Sequence, residues 1–157
     1  MNAHRARFLA VVALATVPFT RSADANAPAG RYVVTSGGTD AGTGNGTVYD
    51  TKTKLTWQQA VAPGTYTWAG AKTYCAGFNL GGTGWRLPTI KELQTIADDS
   101  QTNPSIDTTA FPSTPADWFW SSSPLAGSSS YAWSVHFYDG VASNFGVSDT
   151  YYVRCVR

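Results

Sequence analysis

The residues best suited to contact a ligand lie in one stretch near the C-terminus. His136, Tyr138, Asp139, Ser143, Asn144, Phe145, Ser148 and Asp149 follow each other closely, and from Tyr138 to Asp149 there is no Lys, Arg, Glu, Gln, Met or Trp. Tyr, Ser, Asn, Asp and Gly combine broad contact at low entropy cost with adaptable hydrogen bonding, the composition of recognition loops. The same residues also suit an ordinary solvated hairpin. A hydrolytic reading would use His136 with Asp139 or Asp149 as its orienting carboxylate, but no nucleophile-elbow motif accompanies them. Asp98, Asp99, Asn103 and Asp107 offer hard oxygens within one short loop, the donors calcium takes. Their spacing is not that of an EF-hand, and a helix end followed by Asx turns accounts for them equally. No catalysis and no cofactor are expected.

A second group of residues reads as scaffold. Trp85-Arg86-Leu87-Pro88-Thr89 precedes Glu92 in a T-x-x-E capping box, so a helix begins at Ile90. Glu92 is thereby committed to a cap rather than to paired-carboxylate chemistry. Arg86 and Arg154 can pair with carboxylates or backbone carbonyls inside the fold. Cys75 and Cys155 are the only cysteines. In an oxidising compartment their default is one disulfide closing a loop of about 80 residues; two free thiols are the alternative. With only His136 beside them after a leader is removed, a soft metal site lacks ligands.

The positioning elements follow from periodicity. Thr67 caps a helix from Trp68 to about Asn79, whose stripe is Trp68, Ala71, Cys75 and Phe78. The second helix runs to about Ala97 on Ile90, Leu93, Ile96 and Ala97. Gly46–Gln58 reads as a hairpin turning at Asp50–Thr53, and one strand is expected at Arg31–Val34. Ile106 and Phe111 anchor a Pro-rich loop. Trp118–Ser121 is a short strand, and Ser122–Ser130 a small-residue loop. The next strand alternates Tyr131, Trp133, Val135 and Phe137 inward with Ala132, Ser134, His136 and Tyr138 outward, then turns at Asp139-Gly140. A returning strand over Val141–Val147 and a last strand over Tyr151–Arg157 complete the pattern. Tyr151, Val153 and Cys155 share the face toward the first helix.

Residues 1–25 read as an export leader: His4, Arg5 and Arg7 precede a short apolar run, and Ala23-Asp24-Ala25 is an A-x-A cleavage site. Residues 26–45 read as a flexible segment, and residues 46–157 as one domain. After the leader, eight Lys and Arg face nine Asp and Glu, with no basic stripe. Nucleic acid is therefore a poor partner, and no membrane span remains. All six tryptophans lie beyond the leader.

Several motifs, in order, resemble one family: Leu55-Thr56-Trp57-Gln58, Ala71-Lys72-Thr73-Tyr74-Cys75, Trp85-Arg86-Leu87-Pro88-Thr89 with Glu92-Leu93, and Ile106-Asp107. Phe111-Pro112, Trp120-Ser121-Ser122-Ser123, Ala132-Trp133-Ser134-Val135 and Val153-Arg154-Cys155-Val156-Arg157 continue the series. Together they resemble the Lcl C-terminal domain family. The resemblance implies an α+β, C-type-lectin-like fold: two helices on a small, mainly antiparallel sheet with long loops. It also implies a bacterial protein exported to the periplasm, the cell surface or the outside. Its partner would be a surface glycan or a protein, and some relatives vary their C-terminal loops through retroelements. The collagen-like repeat of the family's namesake is absent, so its trimerisation is not implied and the oligomeric state stays open. The alternative is a structural envelope protein without a specific ligand.

Overall fold

A computed structural model describes residues 27–35 and 46–157. The leader expected over residues 1–25, its cleavage site and the start at Asn26 lie outside the described residues, as do residues 36–45.

Three strands open the fold: β1 (Tyr32–Thr35), β2 (Thr47–Asp50) and β3 (Thr56–Gln58). They form one antiparallel sheet in the order β1-β2-β3, with Val33 opposite Tyr49 and Val48 opposite Trp57. The strand expected near Arg31 is therefore an integral part of the fold rather than part of a tether. Arg31 fixes it, bonding the fully buried Asp50 at 3.1 Å and the carbonyl of Thr95. Tyr32 meets Phe111 edge-on at 5.2 Å.

Two short helices follow, α1 (Trp68–Gly77) and α2 (Ile90–Gln94). Thr67 caps α1 by accepting from the Gly70 N–H, and Thr89 with Glu92 closes the full capping box on α2. α2 is shorter than its apolar stripe suggested: beyond Gln94 the backbone bonds span three residues, from Thr95, Ile96 and Ala97 to the Glu92, Leu93 and Gln94 carbonyls. Ile96 beyond it is still buried.

β4 (Trp118–Leu125), β5 (Ser128–His136) and β6 (Ala142–Gly146) form a second antiparallel sheet in the order β4-β5-β6. Two sheets therefore stand where one was expected. The small-residue stretch Ser122–Ser130 is not a loop: β4 continues through it and turns at Ala126-Gly127, so that Leu125 faces Ser128. Gly127 takes the positive φ of 79° that this tight turn requires. A run of serines hides the strand from a hydrophobicity pattern, and the ladder slips between Trp120 and Pro124. Ser121 patches the slip by donating to the Trp133 carbonyl at 2.6 Å.

The last segment, Tyr151–Arg157, is not a continuous strand. It runs between the two sheets and changes neighbours along its length. Tyr151 bonds Tyr66, Tyr152 bonds Trp118 and Trp120, Cys155 accepts from Gln58, and Val156 exchanges bonds with Arg86. No single strand lies alongside it, which is why only isolated bridges form. Its side chains alternate as expected. Val153 and Cys155 join one apolar cluster with Ala71, Cys75, Trp85 and Trp120. Val156 joins the other, with Trp57, Leu93, Phe111 and Phe119. Cys75 and Cys155 form the disulfide, with Cα atoms 5.4 Å apart, so helix α1 is covalently tied to this central segment.

Candidate functional site

The side of the second sheet that packs on the second apolar cluster carries a row of aromatic rings. Trp118 on β4 lies opposite His136 on β5, and the two rings stack with centroids 4.5 Å apart. Tyr138, two residues on, also stacks on His136, at 5.9 Å. Phe145 on β6 meets Trp118 at 4.7 Å and an angle of 67°. Tyr151 meets Phe145 at 4.9 Å and 57°. Trp118, His136, Phe145 and Tyr151 are half-buried, while Tyr138 is exposed.

Carboxylates border this row. Asp139 reaches His136 Nδ1 at 3.2 Å and accepts from the Val141 N–H at 3.3 Å. Asp117 accepts from the Trp118 N–H at 2.7 Å. Burial raises the Tyr151 phenol above its usual pKa, and the negative charges of Asp149 and Asp117 push it the same way. From Glu92 to Val153 the chain has seven acidic residues and no Lys or Arg. Arg154, which follows, is fully buried, and Arg157 lies over Trp85 at 5.1 Å. Lys72, on α1, lies over the Trp68 ring at 3.5 Å, and Trp68 packs in the same apolar cluster as Phe145 and Tyr151.

The expected ligand residues are thus partly gathered. His136, Tyr138, Asp139, Ser143 and Phe145 share the row's side of the sheet, since Ser143 faces Ser134 and Phe145 faces Ala132. Ser148 and Asp149 are exposed in the turn that follows β6. Asn144 points to the opposite side, paired with Trp133. Phe145 is packed against the second apolar cluster rather than standing free as an anchor. The assignment of faces along β5 also needs correction. Ala132 and Ser134, expected outward, are fully buried, and Tyr131, expected inward, is exposed. The sheet is covered on both sides near its middle, so strict alternation fails there. Trp118, Tyr151 and Asp117 were missed. The visible signal was that Trp118 and Trp120 alternate with Phe119, placing two large rings on one side of a strand.

The backbone beneath the site is pinned from the side. The loop before it donates from Asn103 to the Tyr138 carbonyl at 2.8 Å and from Ser105 to the Phe137 carbonyl at 2.7 Å. Gly140 is required at the β5–β6 turn. Its φ is +81°, and a Cβ there would lie 3.0 Å from an Asp99 carboxylate oxygen.

The loop weighed for calcium is occupied with local bonds. Asp98 accepts from the Ser100 N–H at 3.0 Å, and Asp107 from the Thr109 and Ala110 N–H groups at 2.9 and 3.1 Å. Asn103 donates to Tyr138, as above. Among the described residues no group of three or more His, Cys, Asp or Glu converges as a metal would need.

The remaining motif residues build the scaffold. Trp85 is buried and donates to the Leu80 and Gly82 carbonyls, both at 3.0 Å. Arg86 grips Glu92 with two bonds of 2.7 Å. Pro88 is buried, and its carbonyl accepts from the Ser122 N–H at 2.7 Å. The Ser123 hydroxyl accepts from the Ile90 N–H at 3.0 Å, so the serine run helps cap α2. Trp57 and Trp120 are fully buried, and Trp120 Nε1 donates to the Tyr66 carbonyl at 2.8 Å. Trp133 is half-buried. Arg154 departs from expectation, for among the described residues no carboxylate meets it. It donates to Thr114 at 2.8 Å and lies over Phe111 at 4.6 Å. Among the described residues its Nε and Nη1 have no hydrogen-bond partner. Burial pulls its pKa down to about 9, still well above neutral, so the guanidinium stays charged at pH 7.

Fold and site together define a disulfide-pinned α+β domain with two small antiparallel sheets and an aromatic face on the second. The chain belongs to the Lcl C-terminal domain family, whose model matches residues 46–157. No match was found among curated proteins. The matched span starts just after the segment that joins β1 to β2, so β1 lies outside it while pairing with its first strand.

Proposed function

We propose that this protein is an exported binding module that recognises a glycan or a protein on a cell or matrix surface and does no chemistry. Its domain would be C-type-lectin-like, and it would act in the periplasm, on the cell surface or outside the cell without a cofactor. One observation carries this reading: a half-exposed aromatic row on a rigid sheet, bordered by hydrogen-bonding carboxylates and serines. Aromatic faces next to a few directed polar groups are the chemistry of surface recognition. Among the described residues no helix is long and apolar enough to cross a membrane.

The test is a glycan-array and cell-binding screen with the oxidised protein and a Tyr138→Ser/Asp149→Asn variant. Both positions are exposed, so the variant keeps its fold. A reproducible ligand should be lost or weakened at least tenfold in the variant. Unchanged affinity for that ligand would show that the site lies elsewhere.

A further inference from the structure

The chain just before β1 is held against the rest of the fold. The Arg31 N–H donates to the Pro28 carbonyl at 3.0 Å, closing a turn, and the Thr51 hydroxyl donates to the Gly30 and Arg31 carbonyls at 3.1 and 2.9 Å. This sets Ala27 and Pro28 on the wall of a cavity of about 250 Å³, which Asp98, Asp99 and Asp107 also line. Asp107 is only 8 % exposed. Its Oδ1 accepts from the Thr109 and Ala110 N–H groups, and among the described residues no cation forms an ion pair with it. Arg31 lines the same cavity, but its guanidinium is bonded to Asp50 and to the Thr95 carbonyl. A carboxylate withdrawn this far from water is stabilised by a cation beside it. The expected leader cleavage would supply one. Hydrolysis of the Ala25–Asn26 amide by a leader peptidase adds water across the bond: Ala25 leaves with a carboxylate, and Asn26 keeps the nitrogen as an α-ammonium. That nitrogen lies within about 5 Å of the Ala27 Cα by covalent geometry alone, and Ala27 is already on the cavity wall.

We infer that the α-ammonium released at Asn26 docks in this cavity and pairs with Asp107, with Asp98 and Asp99 adding negative charge beside it. The inference rests on the export part of the proposed function. Processing then has two effects: it removes the leader, and it clamps the start of β1, whose other tie is the Arg31–Asp50 pair. The precursor has a neutral amide nitrogen at this position, so the clamp belongs to the mature chain alone.

The test expresses the full chain, leader included, in an exporting cell, and mass spectrometry first reads where the purified protein begins. The folded, disulfide-bonded protein is then treated with acetic anhydride near neutral pH. Acetylation of the terminal amine is timed against that of the exposed Lys54 and Lys91. Only an unprotonated amine reacts, so a terminus paired with a buried carboxylate is slow. The Asn26 amine should react about tenfold more slowly in the parent than in Asp107→Asn, with the lysine rates unchanged. Asn keeps a carbonyl for the Thr109 and Ala110 N–H groups. In a second variant one glycine is inserted between Ala25 and Asn26, which leaves every cavity residue in place and moves the amine away. It should give the same rise of about tenfold. A rate in the parent equal to that of either variant overturns the inference while the export reading stands. A chain that keeps its leader, or begins elsewhere than Asn26, overturns both together.

Discussion

Replacing Glu92 by Gln tests whether the central motif is scaffold. Arg86 donates two bonds of 2.7 Å to the two carboxylate oxygens, and the Thr89 N–H adds a third of 2.8 Å. These hold the Glu92 carboxyl at about 2, from an ordinary 4.5. Arg86 is the largest cause, burial opposes it, and the Thr89 bonds add to it. The full displacement corresponds to about 3 kcal/mol. Arg86 is 47 % exposed, so water screens the pair and roughly 1–2 kcal/mol should remain. The sign follows from the depressed value. This stabilisation is complete above the unfolded value of 4.5 and is lost as pH falls from there through about 2. Gln keeps a carbonyl for the Thr89 N–H, but it removes the charge and puts an amide donor in place of the oxygen that accepts from Arg86 Nη2. Urea unfolding followed by circular dichroism at neutral and acid pH measures the difference. Glu92→Gln should be about 1–2 kcal/mol less stable at neutral pH, and the gap should close by about pH 2. Equal stability at neutral pH, or a gap that persists in acid, would refute the assignment.

Other perturbations probe the rest of the frame. Arg31→Ala removes the cation bonded to the fully buried Asp50 and should cost about 3 kcal/mol in urea unfolding; a loss under about 1 kcal/mol would mean that β1 is held by packing alone. Arg154→Met removes a buried charge with two unpartnered nitrogens, while Thr114 keeps its bond to the Phe111 carbonyl. Stability should be unchanged or rise by up to about 2 kcal/mol, and a loss above about 3 kcal/mol would show that the guanidinium is an essential brace. Cys75→Ala/Cys155→Ala opens a loop spanning 80 residues and should lower stability by about 4 kcal/mol, read from denaturant midpoints against the oxidised parent.

The parts of this fold that show in the sequence are those fixed by local rules. The Thr67 and Thr89 caps, the Glu92 box and the inward stripe of α1 depend on residues three or four apart, and each is in place. The disulfide follows from cysteine number once export is expected. The parts that stayed hidden depend on distant partners. The Ser122–Ser130 hairpin has almost no apolar signal, since its stability comes from pairing and from Ser121 filling a slipped ladder. The last segment reads as a strand because its side chains alternate, yet its bonds go to several neighbours in turn. Arg154 is a charge that any pairing rule would give a carboxylate, and the fold gives it rings and one hydroxyl instead. The site shows the same division: its polar turn residues were legible, whereas Trp118 and Tyr151 join it only through sheet register and the path of the C-terminal segment.

That division bears on which positions of this surface can be substituted. The turn carrying Tyr138 and Asp139 is held by backbone bonds from Asn103, Ser105 and His136, and none of these uses a site side chain. Tyr138, Ser148 and Asp149 are exposed, so their substitution alters contacts while leaving the frame intact. Phe145 and Tyr151 are different. They touch each other, and Tyr151 meets the buried Trp120 at 4.9 Å, so the inner end of the row is continuous with the core. Changing either ring would loosen the packing beside the disulfide as well as the site. On the binding-module reading, the outer positions are therefore the ones free to set which ligand is read, while the inner rings maintain a constant aromatic floor. On that reading, a ligand feature common to all variants of this surface would have to be recognised at that floor.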